Sequence, residues 1–330
     1  FITGSNNVNV FDNYIQDSGS GINIMESNNT QITTNNVSNT KSHGISIDNS
    51  ENVNVSNNAL DNNSIGISSN NANNLKINDN NIKNSRSDGI STYKSRKNKI
   101  IDNDIDDAFN GISVYDSEDV NVSKNKVKNS KNKGISLDLT KNAKIKSNNI
   151  KNSQDIGVSL GNSENINLTN NNITFNAADG IYISYGNFIG INNNTITNNT
   201  NLGISITNTK NTLINTNKII GNNEGINALY SALIGIFNNS IEKNKERAIY
   251  LENDINNQTS PYSPCILPDN IFSAIPPHMK YLKYSAIISE NNISNNGYGI
   301  EIHNFNAAKV NFNIVNNNYG DAMSIFYSNN

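Results

Sequence analysis

The chain has 330 residues, with 25 Lys and Arg against 28 Asp and Glu for a net charge of −3, and 77 residues, about 23%, are Asn. No apolar run approaches the roughly 18 residues of a transmembrane helix, and the single Cys265 excludes an intrachain disulfide. With hydrophobic residues at only 35%, composition alone is typical of a disordered Asn-rich chain. The chain starts at Phe1 without a signal-like segment, so we expect it to be part of a longer protein.

A repeat of 22 or 23 residues begins near the start of the chain and overturns the disordered interpretation. It is marked by a Gly followed by Ile or Val, at Gly21, Gly44, Gly66, Gly89, Gly111, Gly134, Gly157, Gly180, Gly203 and Gly225. An aliphatic residue follows each of these glycines by 16 positions, so length varies only in one loop before the next Gly. Ala248 and Gly299 continue the register. A fixed period of this length predicts a solenoid.

Three short apolar segments occur in each repeat, in chain order. The first reads Gly-Ile-x-Ile, as in 44–47, the second Val-x-Val, as in 53–55, and the third Asn-x-Ile, as in 80–82. Alternation of apolar and polar residues predicts β-strands, with every second side chain facing the core. No helical periodicity appears in the chain, so the repeat predicts an all-β fold.

Asn precedes the third apolar position by two residues in all thirteen repeats. If successive turns stack, these amides form a hydrogen-bonded ladder, as identical polar side chains do in cross-β stacks. At about 0.5 to 1.5 kcal/mol net per hydrogen bond, such a ladder helps to fix the register of the turns. We therefore predict a structural ladder whose central members are Asn80, Asn103, Asn125, Asn148, Asn171, Asn194 and Asn217.

The Gly-Ile-x-Ile segments and the Asn column resemble the parallel β-helix repeats of the pectin-lyase-like superfamily. The resemblance covers almost the whole chain outside one insertion. It implies a right-handed, single-stranded parallel β-helix of about thirteen turns of 22–23 residues, forming one domain over residues 1–330. A leucine-rich repeat is the alternative, because residues 166–173 fit its strand signature. Leu is scarce, however, and the rest of the repeat is typical of a strand and not of a helix.

One insertion interrupts the regular turns between Ala248 and Gly299, which are 51 residues apart. All five prolines of the chain fall inside it, at Pro261, Pro264, Pro268, Pro276 and Pro277. We assign residues 254–284 to a Pro-rich flap between two turns, because long insertions on such scaffolds are usually functional or disordered. Its apolar content favours a folded lid or binding arm over a tolerated insertion or a mobile loop.

The best candidate site lies on outward positions of the first strand, beside the insertion. When equivalent positions of the repeats before and after the insertion are aligned, Tyr250 lies next to Glu301 in the following turn, and Glu252 lies next to His303. Carboxylates near an imidazole can act in general acid and base catalysis, so Glu252, Glu301 and His303 are the catalytic candidates. An ordinary surface ion pair is the alternative. Aromatic side chains that can stack on sugar rings are Tyr182, Tyr185, Tyr230 and Tyr250.

The distribution of charged residues and the absence of recognised motifs limit the kinds of binding partner that the sequence predicts. Residues 83–151 carry 15 Lys and Arg and 9 Asp and Glu, a basic excess that can attract an anionic polymer such as a uronate-containing polysaccharide or can simply be a solvated face. Nucleic acid is excluded as a partner because no recognised motif accompanies the charge. No metal site or cofactor is predicted, and calcium is expected only if the protein is a lyase of the resembled superfamily.

Three hypotheses of function follow from these patterns. The first is a non-catalytic, extracellular or cell-surface β-helix, similar to adhesin-like proteins, that presents a lateral face and the flap to glycans or a partner. The second is a polysaccharide-processing enzyme, a lyase, hydrolase or epimerase, with its site under the flap. The third is a structural spacer of a surface array. Oligomeric state is left open by the sequence, as is the question of catalysis.

Overall fold

The computed structural model describes residues 1–253, 286–305 and 307–326. The chain divides into two compact units, Phe1–Ser159 (unit 1) and Leu160–Asn330 (unit 2). The described residues of both units form short parallel β-strands and contain no helix, so the predicted all-β class is confirmed. The predicted flap, residues 254–284, lies outside the described residues. The flap and the assignment of residues 1–330 to one domain stay predictions.

Unit 1 is built from three parallel sheets, called sheets 1, 2 and 3 by the order of their strands within a turn. Sheet 1 contains β1 (Ile2–Thr3), β4 (Ile22–Met25), β7 (His43–Asp48), β10 (Ile65–Asn70), β13 (Asp88–Tyr93), β16 (Asn110–Tyr115) and β19 (Ile135–Asp138). Sheet 2 contains β2 (Asn9–Phe11), β5 (Gln31–Thr33), β8 (Asn54–Ser56), β11 (Lys76–Asn78), β14 (Lys99–Ile101), β17 (Asn121–Ser123) and β20 (Lys144–Lys146). Sheet 3 contains β3 (Tyr14–Gln16), β6 (Asn36–Ser38), β9 (Ala59–Asp61), β12 (Asn81–Lys83), β15 (Asp104–Asp106), β18 (Lys126–Lys128) and β21 (Asn149–Lys151).

Unit 2 repeats the same three-strand turn, and β22 (Val158–Gly161) spans the division between the units. Its sheet 1 contains β25 (Ile181–Ser184), β28 (Leu202–Thr207), β31 (Glu224–Leu229), β34 (Arg247–Glu252), β37 (Tyr298–His303) and β40 (Met323–Phe326). Sheet 2 contains β23 (Glu164–Thr169), β26 (Asn187–Asn192), β29 (Lys210–Asn215), β32 (Ala232–Phe237), β35 (Ala286–Ser289) and β38 (Ala308–Asn311). Sheet 3 contains β24 (Asn172–Thr174), β27 (Thr195–Thr197), β30 (Lys218–Ile220), β33 (Ser240–Glu242), β36 (Asn292–Ser294) and β39 (Ile314–Asn316).

Within each unit, strands pair in parallel with the strand three further along the chain, one repeat later. Ile67 pairs with Ile90 in sheet 1, and Ile82 pairs with Ile105 in sheet 3. Like residues therefore stack on like residues, and these isoleucines are fully buried. Because three strands of each repeat enclose the same aliphatic stack, both units are parallel β-helices. The predicted β-helix of about thirteen turns is confirmed.

The predicted Asn ladder is present in both units. In unit 1 the Asn80 amide Nδ2 donates to Asn103 Oδ1 at 2.9 Å, and Asn103 donates in the same way to Asn125 at 2.9 Å. In unit 2 Asn194 Nδ2 donates to Asn217 Oδ1 at 3.0 Å. Each Oδ1 also accepts the backbone N–H of the preceding ladder Asn. The ladder thus satisfies buried backbone donors as well as the side chains.

A second Asn ladder in unit 2 follows the third strand and was not predicted from the sequence. Asn176 Nδ2 donates to Asn199 Oδ1 at 2.9 Å, and the chain of bonds continues through Asn222 and Asn244 to Asn296. All five side chains are buried. In unit 1 the same column holds one Asn, Asn63, among the smaller residues Thr40, Ser85, Ala108 and Ser130, which hides its periodicity in the sequence.

The turns between strands explain the high Asn content. The residue before each Asn of the first ladder has a positive φ in successive turns. It is +56° for Asn57, Asp79 and Asp102. The left-handed region is unfavourable for most L-residues, but Asn and Asp adopt it more readily than others. They hold most of the positive-φ positions in the described residues. A fold with several such turns in every repeat therefore requires many Asn residues.

Candidate functional site

The predicted register at the candidate site is found in β34 and β37 of unit 2. Tyr250 pairs with Glu301, and Glu252 pairs with His303. All four side chains are partly exposed on the outer face of sheet 1. Two hydrogen bonds of this cluster lie within a strand: in β37, His303 Nε2 lies 2.7 Å from Glu301 Oε1. Tyr250 likewise donates its hydroxyl to Glu252 Oε2 at 2.8 Å.

Arg247 at the start of β34 holds this cluster together. It donates to Glu224 Oε1 through Nε at 3.1 Å and Nη2 at 2.6 Å, and its Nη1 lies 3.9 Å from Glu301 Oε2. The guanidinium also lies over the Tyr250 ring, 3.7 Å from the centroid. Glu224 is buried, and Asn227 Nδ2 donates to its other oxygen at 2.9 Å. Both oxygens of the buried carboxylate therefore have hydrogen-bond partners, which is the condition under which a buried ion pair is tolerated.

Two pKa values follow from this packing. The pKa of Tyr250 is raised to about 12, first by burial and then by the hydrogen bond to Glu252 and the charge of Glu252. Burial lowers the pKa of Arg247, but the hydrogen bond to Glu224 and the charges of Glu224 and Glu301 outweigh it, so its net pKa is raised. Arg247 is therefore a fixed cation and Tyr250 a neutral phenol at physiological pH. A neutral phenol is a poor proton acceptor, so Tyr250 is unsuited to act as a catalytic base.

A groove opens beside these residues, which we call the Arg247 groove. Its volume is about 450 Å³, and it is lined by Glu246, Arg247, Tyr298, Glu301, Asp321, Ser324 and Phe326. Tyr298 and Phe326 are 49% and 43% exposed. Gly320 leaves room for the Tyr298 ring, because a Cβ there would lie 2.3 Å from Tyr298 Cε1. The groove combines aromatic faces with charged hydrogen-bonding groups, the usual chemistry of a small-ligand site.

The four predicted tyrosines are only partly brought together. Tyr250 lies in the cluster, and Tyr230 follows β31 with its backbone N–H donating to Glu252 O at 2.8 Å. Tyr182 lies on the same sheet face as Tyr250 but three strand spacings away, or about 14 Å at the usual ~4.8 Å spacing. Tyr185 follows β25 and is 64% exposed. Tyr182 and Tyr185 are thus separate from the Arg247 groove.

Glu224, Arg247 and Tyr298 were missed by sequence reasoning, although a signal for them exists. Glu224 and Tyr298 each stand directly before a marker Gly, and Arg247 stands before Ala248 in the same column. This column lies one position ahead of the repeat marker, and it places the three side chains in consecutive turns. Phe326 does not belong to this column. It lies in the last described strand, at the end of a different column that contains Leu229, Glu252 and His303.

In residues 1–253, 286–305 and 307–326, no group of three or more His, Cys, Asp and Glu side chains is placed to hold a metal ion. The described part of the chain also has no helix long and apolar enough to cross a membrane.

The fold is that of a β-helix protein, and the Arg247 groove is a candidate site with a polar and aromatic lining. The family model described as "Right handed beta helix region" matches residues 1–143 and 133–275, so the chain belongs to the right-handed β-helix family. A search of curated proteins found no match.

Three solved structures are similar to the chain. The A-module of the Azotobacter vinelandii mannuronan C-5 epimerase AlgE4 is 14% identical with a TM-score of 0.69, over 92% of this chain and 89% of that one. The periplasmic alginate epimerase AlgG is 15% identical with a TM-score of 0.55, over 86% and 77% of the two chains. The Dettilon tailspike protein is 12% identical with a TM-score of 0.64, over 87% and 60%. At these identities the likeness establishes a shared fold only.

Proposed function

We propose that this protein is a non-catalytic, glycan-binding β-helix that holds a polysaccharide segment in the Arg247 groove. The observation that carries the proposal is that two exposed aromatic side chains, Tyr298 and Phe326, line the same groove as Arg247 and Glu301. Aromatic rings present apolar faces to sugar rings, while guanidinium and carboxylate groups bond to hydroxyls. The location is extracellular or at the cell surface in an adhesin-like role, because polysaccharide ligands of this kind lie outside the cell.

Binding is favoured over catalysis because the ionisable side chains already bond to one another. Glu301 lies between His303 and Arg247, at 2.7 and 3.9 Å, and Glu252 accepts the Tyr250 hydroxyl. The raised pKa of Tyr250 also removes the phenolate that a tyrosine base needs. Rigid, mutually bonded groups are suited to recognition, since their geometry is set before the ligand arrives.

A polysaccharide-processing enzyme is the second candidate, and one contact favours it. His303 and Glu301 form a 2.7 Å pair, and Glu301 lines the groove. A carboxylate and imidazole at this distance can transfer a proton to or from a bound sugar. The similar structures include a mannuronan C-5 epimerase and an alginate epimerase, and in this chain an epimerisation would need Glu301 and His303 as the proton-transfer groups.

The test is a panel of neutral and uronate polysaccharides, with and without calcium. Binding is measured by affinity electrophoresis, and products by mass spectrometry and NMR, which detects epimerisation without a mass change. We expect binding without products, and roughly tenfold weaker binding in Tyr298→Ala. Phe175→Ala is the control, because Phe175 is an exposed aromatic of unit 2 in a turn after sheet 3. Products that vanish in Glu301→Gln and His303→Ala would establish the enzyme instead, and no binding to any polymer would refute both.

A further inference from the structure

A second groove lies wholly within unit 1, and we infer that it binds an acidic glycan. Its lining comes from the turns that follow four consecutive strands of sheet 1, namely β10, β13, β16 and β19. The lining residues lie between Asn71 and Lys141, and the volume of the groove is about 540 Å³. We call it the Tyr93 groove. The inference adds a ligand class and a second site to the glycan binding proposed above, but its residues and its test are separate from those of the Arg247 groove.

An aromatic platform adjoins this groove at Tyr93 and Tyr115, which directly precede the lining residues Lys94 and Asp116. Tyr93 and Tyr115 end strands β13 and β16 and pair directly in register. Their ring centroids are 5.6 Å apart with planes tilted by 32°, and the two residues are 36% and 43% exposed. Two adjacent tyrosines on an outward column make no contribution to the core. Their joint exposed face is suited to stacking against the C–H face of a pyranose ring.

Cations surround this platform. Lys94 Nζ lies 5.0 Å from the centroid of the Tyr93 ring. Arg96, Glu118 and Lys141 stack in consecutive turns, and Arg96 pairs with Glu118 at 2.5 Å. Glu118 therefore has a cation on each side. With Asp116 as the other acid of the lining, the groove holds more positive than negative charge, which favours an anionic ligand.

The turns of this groove also hold side chains in an unfavourable backbone conformation. Lys94 and Leu139 have φ of +48° and +50°, whereas the equivalent turn position of the β10 repeat is Asn71 at +50°. Asn tolerates this region, while a long or branched side chain is rare there. The same turn position also has positive φ at Glu26, Tyr185 and Tyr230, so this conformation belongs to the fold and does not by itself mark a site. The evidence for Lys94 is its Nζ beside the Tyr93 ring, where it can meet an anionic group of the sugar.

Asn71 and Asn73 complete the recognition chemistry at one end of the groove. Asn71 Nδ2 donates to Asn49 Oδ1 at 2.9 Å and Asn73 Oδ1 accepts the Arg96 N–H at 3.1 Å. Each amide has two N–H donors and two acceptor lone pairs, which gives it capacity for a sugar hydroxyl as well. The groove offers cationic and hydroxyl partners over four turns, and the adjoining tyrosine pair offers a stacking face. A neutral glycan would use only part of this set, so a sugar carrying carboxylate or sulfate fits it best.

The experiment compares three polymers with the whole chain: polygalacturonate for carboxylate, dextran sulfate for sulfate, and dextran for the neutral sugar. Affinity electrophoresis or calorimetry measures Kd. We expect both acidic polymers, or one of them, to bind at least about tenfold more tightly than dextran. The double variant Tyr93→Ala/Tyr115→Ala should weaken acidic binding by about tenfold. Binding of only one acidic polymer identifies carboxylate or sulfate as the recognised group.

Matched controls separate this site from general charge and from the other groove. Lys94→Gln should weaken acidic binding severalfold, whereas Lys76→Gln, an exposed lysine in sheet 2, should not. Equal losses in the two lysine variants, or unchanged binding in the double Tyr variant with intact circular dichroism, would overturn the inference. If acidic binding responds only to Tyr298→Ala, the Arg247 groove is supported and this one is rejected. The reverse result supports this site alone.

Discussion

At the scale of single residues, Asn has two distinct roles in this protein. In the ladder, Asn103 is buried, donates to Asn125 and to two backbone carbonyls, and accepts from Asn80. In the turns, Asn57 and Asn74 adopt positive φ, which few other side chains tolerate. The first role depends on the amide and the second on the backbone. Substitutions should therefore have different effects at the two kinds of position.

We predict that Asn103→Ala lowers the free energy of unfolding by about 2 to 4 kcal/mol, because it leaves buried donors and acceptors of two neighbouring turns without partners. Urea unfolding followed by circular dichroism measures the loss. Asn81→Ala is the control, since Asn81 is exposed in β12, and a change within about 0.5 kcal/mol is expected. Similar losses for both variants would contradict a stabilising role of the ladder.

Tyr250 allows a prediction on pH. Its pKa in the folded protein is raised to about 12 by burial and by Glu252, above the pKa of ~10 in the unfolded chain. The folded state therefore keeps this proton longer. Its contribution to stability is present below about pH 10 and is lost as the pH rises towards about 12.

The difference in absorbance at 295 nm between the native protein and Tyr250→Phe should show no Tyr250 phenolate at pH ~10.5. In Glu252→Gln the ionisation should move to lower pH, because the charge that opposes the phenolate is removed. Ionisation of Tyr250 at the same pH in both backgrounds would show that Glu252 does not act on it.

At the scale of strands, the marker glycines are required by the close approach of adjacent turns. A Cβ on Gly111 would lie 2.2 Å from Val127 Cγ1 and 2.4 Å from the carbonyl oxygen of Gly134. The φ of this glycine is not positive, so the constraint is steric and not conformational. The repeat marker is thus explained by contact between a first strand, the third strand of its own repeat and the next turn.

Gly111→Ala should therefore destabilise unit 1 by about 1 to 3 kcal/mol, the usual cost of overpacking a core. Gly19→Ala is the matched control, because nothing lies within 4 Å of a Cβ at that position. Hydrogen exchange of the β16 and β19 amides reports the local effect. Faster exchange in Gly19→Ala than in Gly111→Ala would refute this explanation of the marker.

At the scale of the whole molecule, the repeat reconciles order with low hydrophobic content. Each turn buries its aliphatics only against its neighbours, so the core of each unit is a stack and not a sphere. Ile45, Ile67, Ile90 and Ile112 are all fully buried in consecutive turns. Few apolar residues per turn are enough for such a core, because outward positions and turns can all be polar.

Charge is distributed unevenly along the chain, with the basic excess in residues 83–151 against a net charge of −3 overall. We predict that affinity for an acidic polysaccharide falls severalfold as NaCl rises from about 0.1 M to about 1 M, because the Debye length shortens from ~10 to ~3 Å. Dextran in the same titration is the comparison. Acidic binding that is independent of salt would exclude an electrostatic contribution.

The sequence by itself determined the β-helix, its period and the first Asn ladder. Every repeat has the same pattern of apolar residues and Asn, and stacking of the repeats places equivalent residues next to one another. It also predicted the pairs of Tyr250 with Glu301 and Glu252 with His303. Only the tertiary structure decided which side chains form hydrogen bonds with each other. Strand register determines which residues are neighbours, but the side-chain rotamers determine which of those neighbours are bonded. His303 bonds to Glu301 within its own strand, and Arg247 joins Glu224 to the cluster. Both grooves were likewise visible only in the structure, because their walls come from several turns whose side-chain directions no single column of the sequence records.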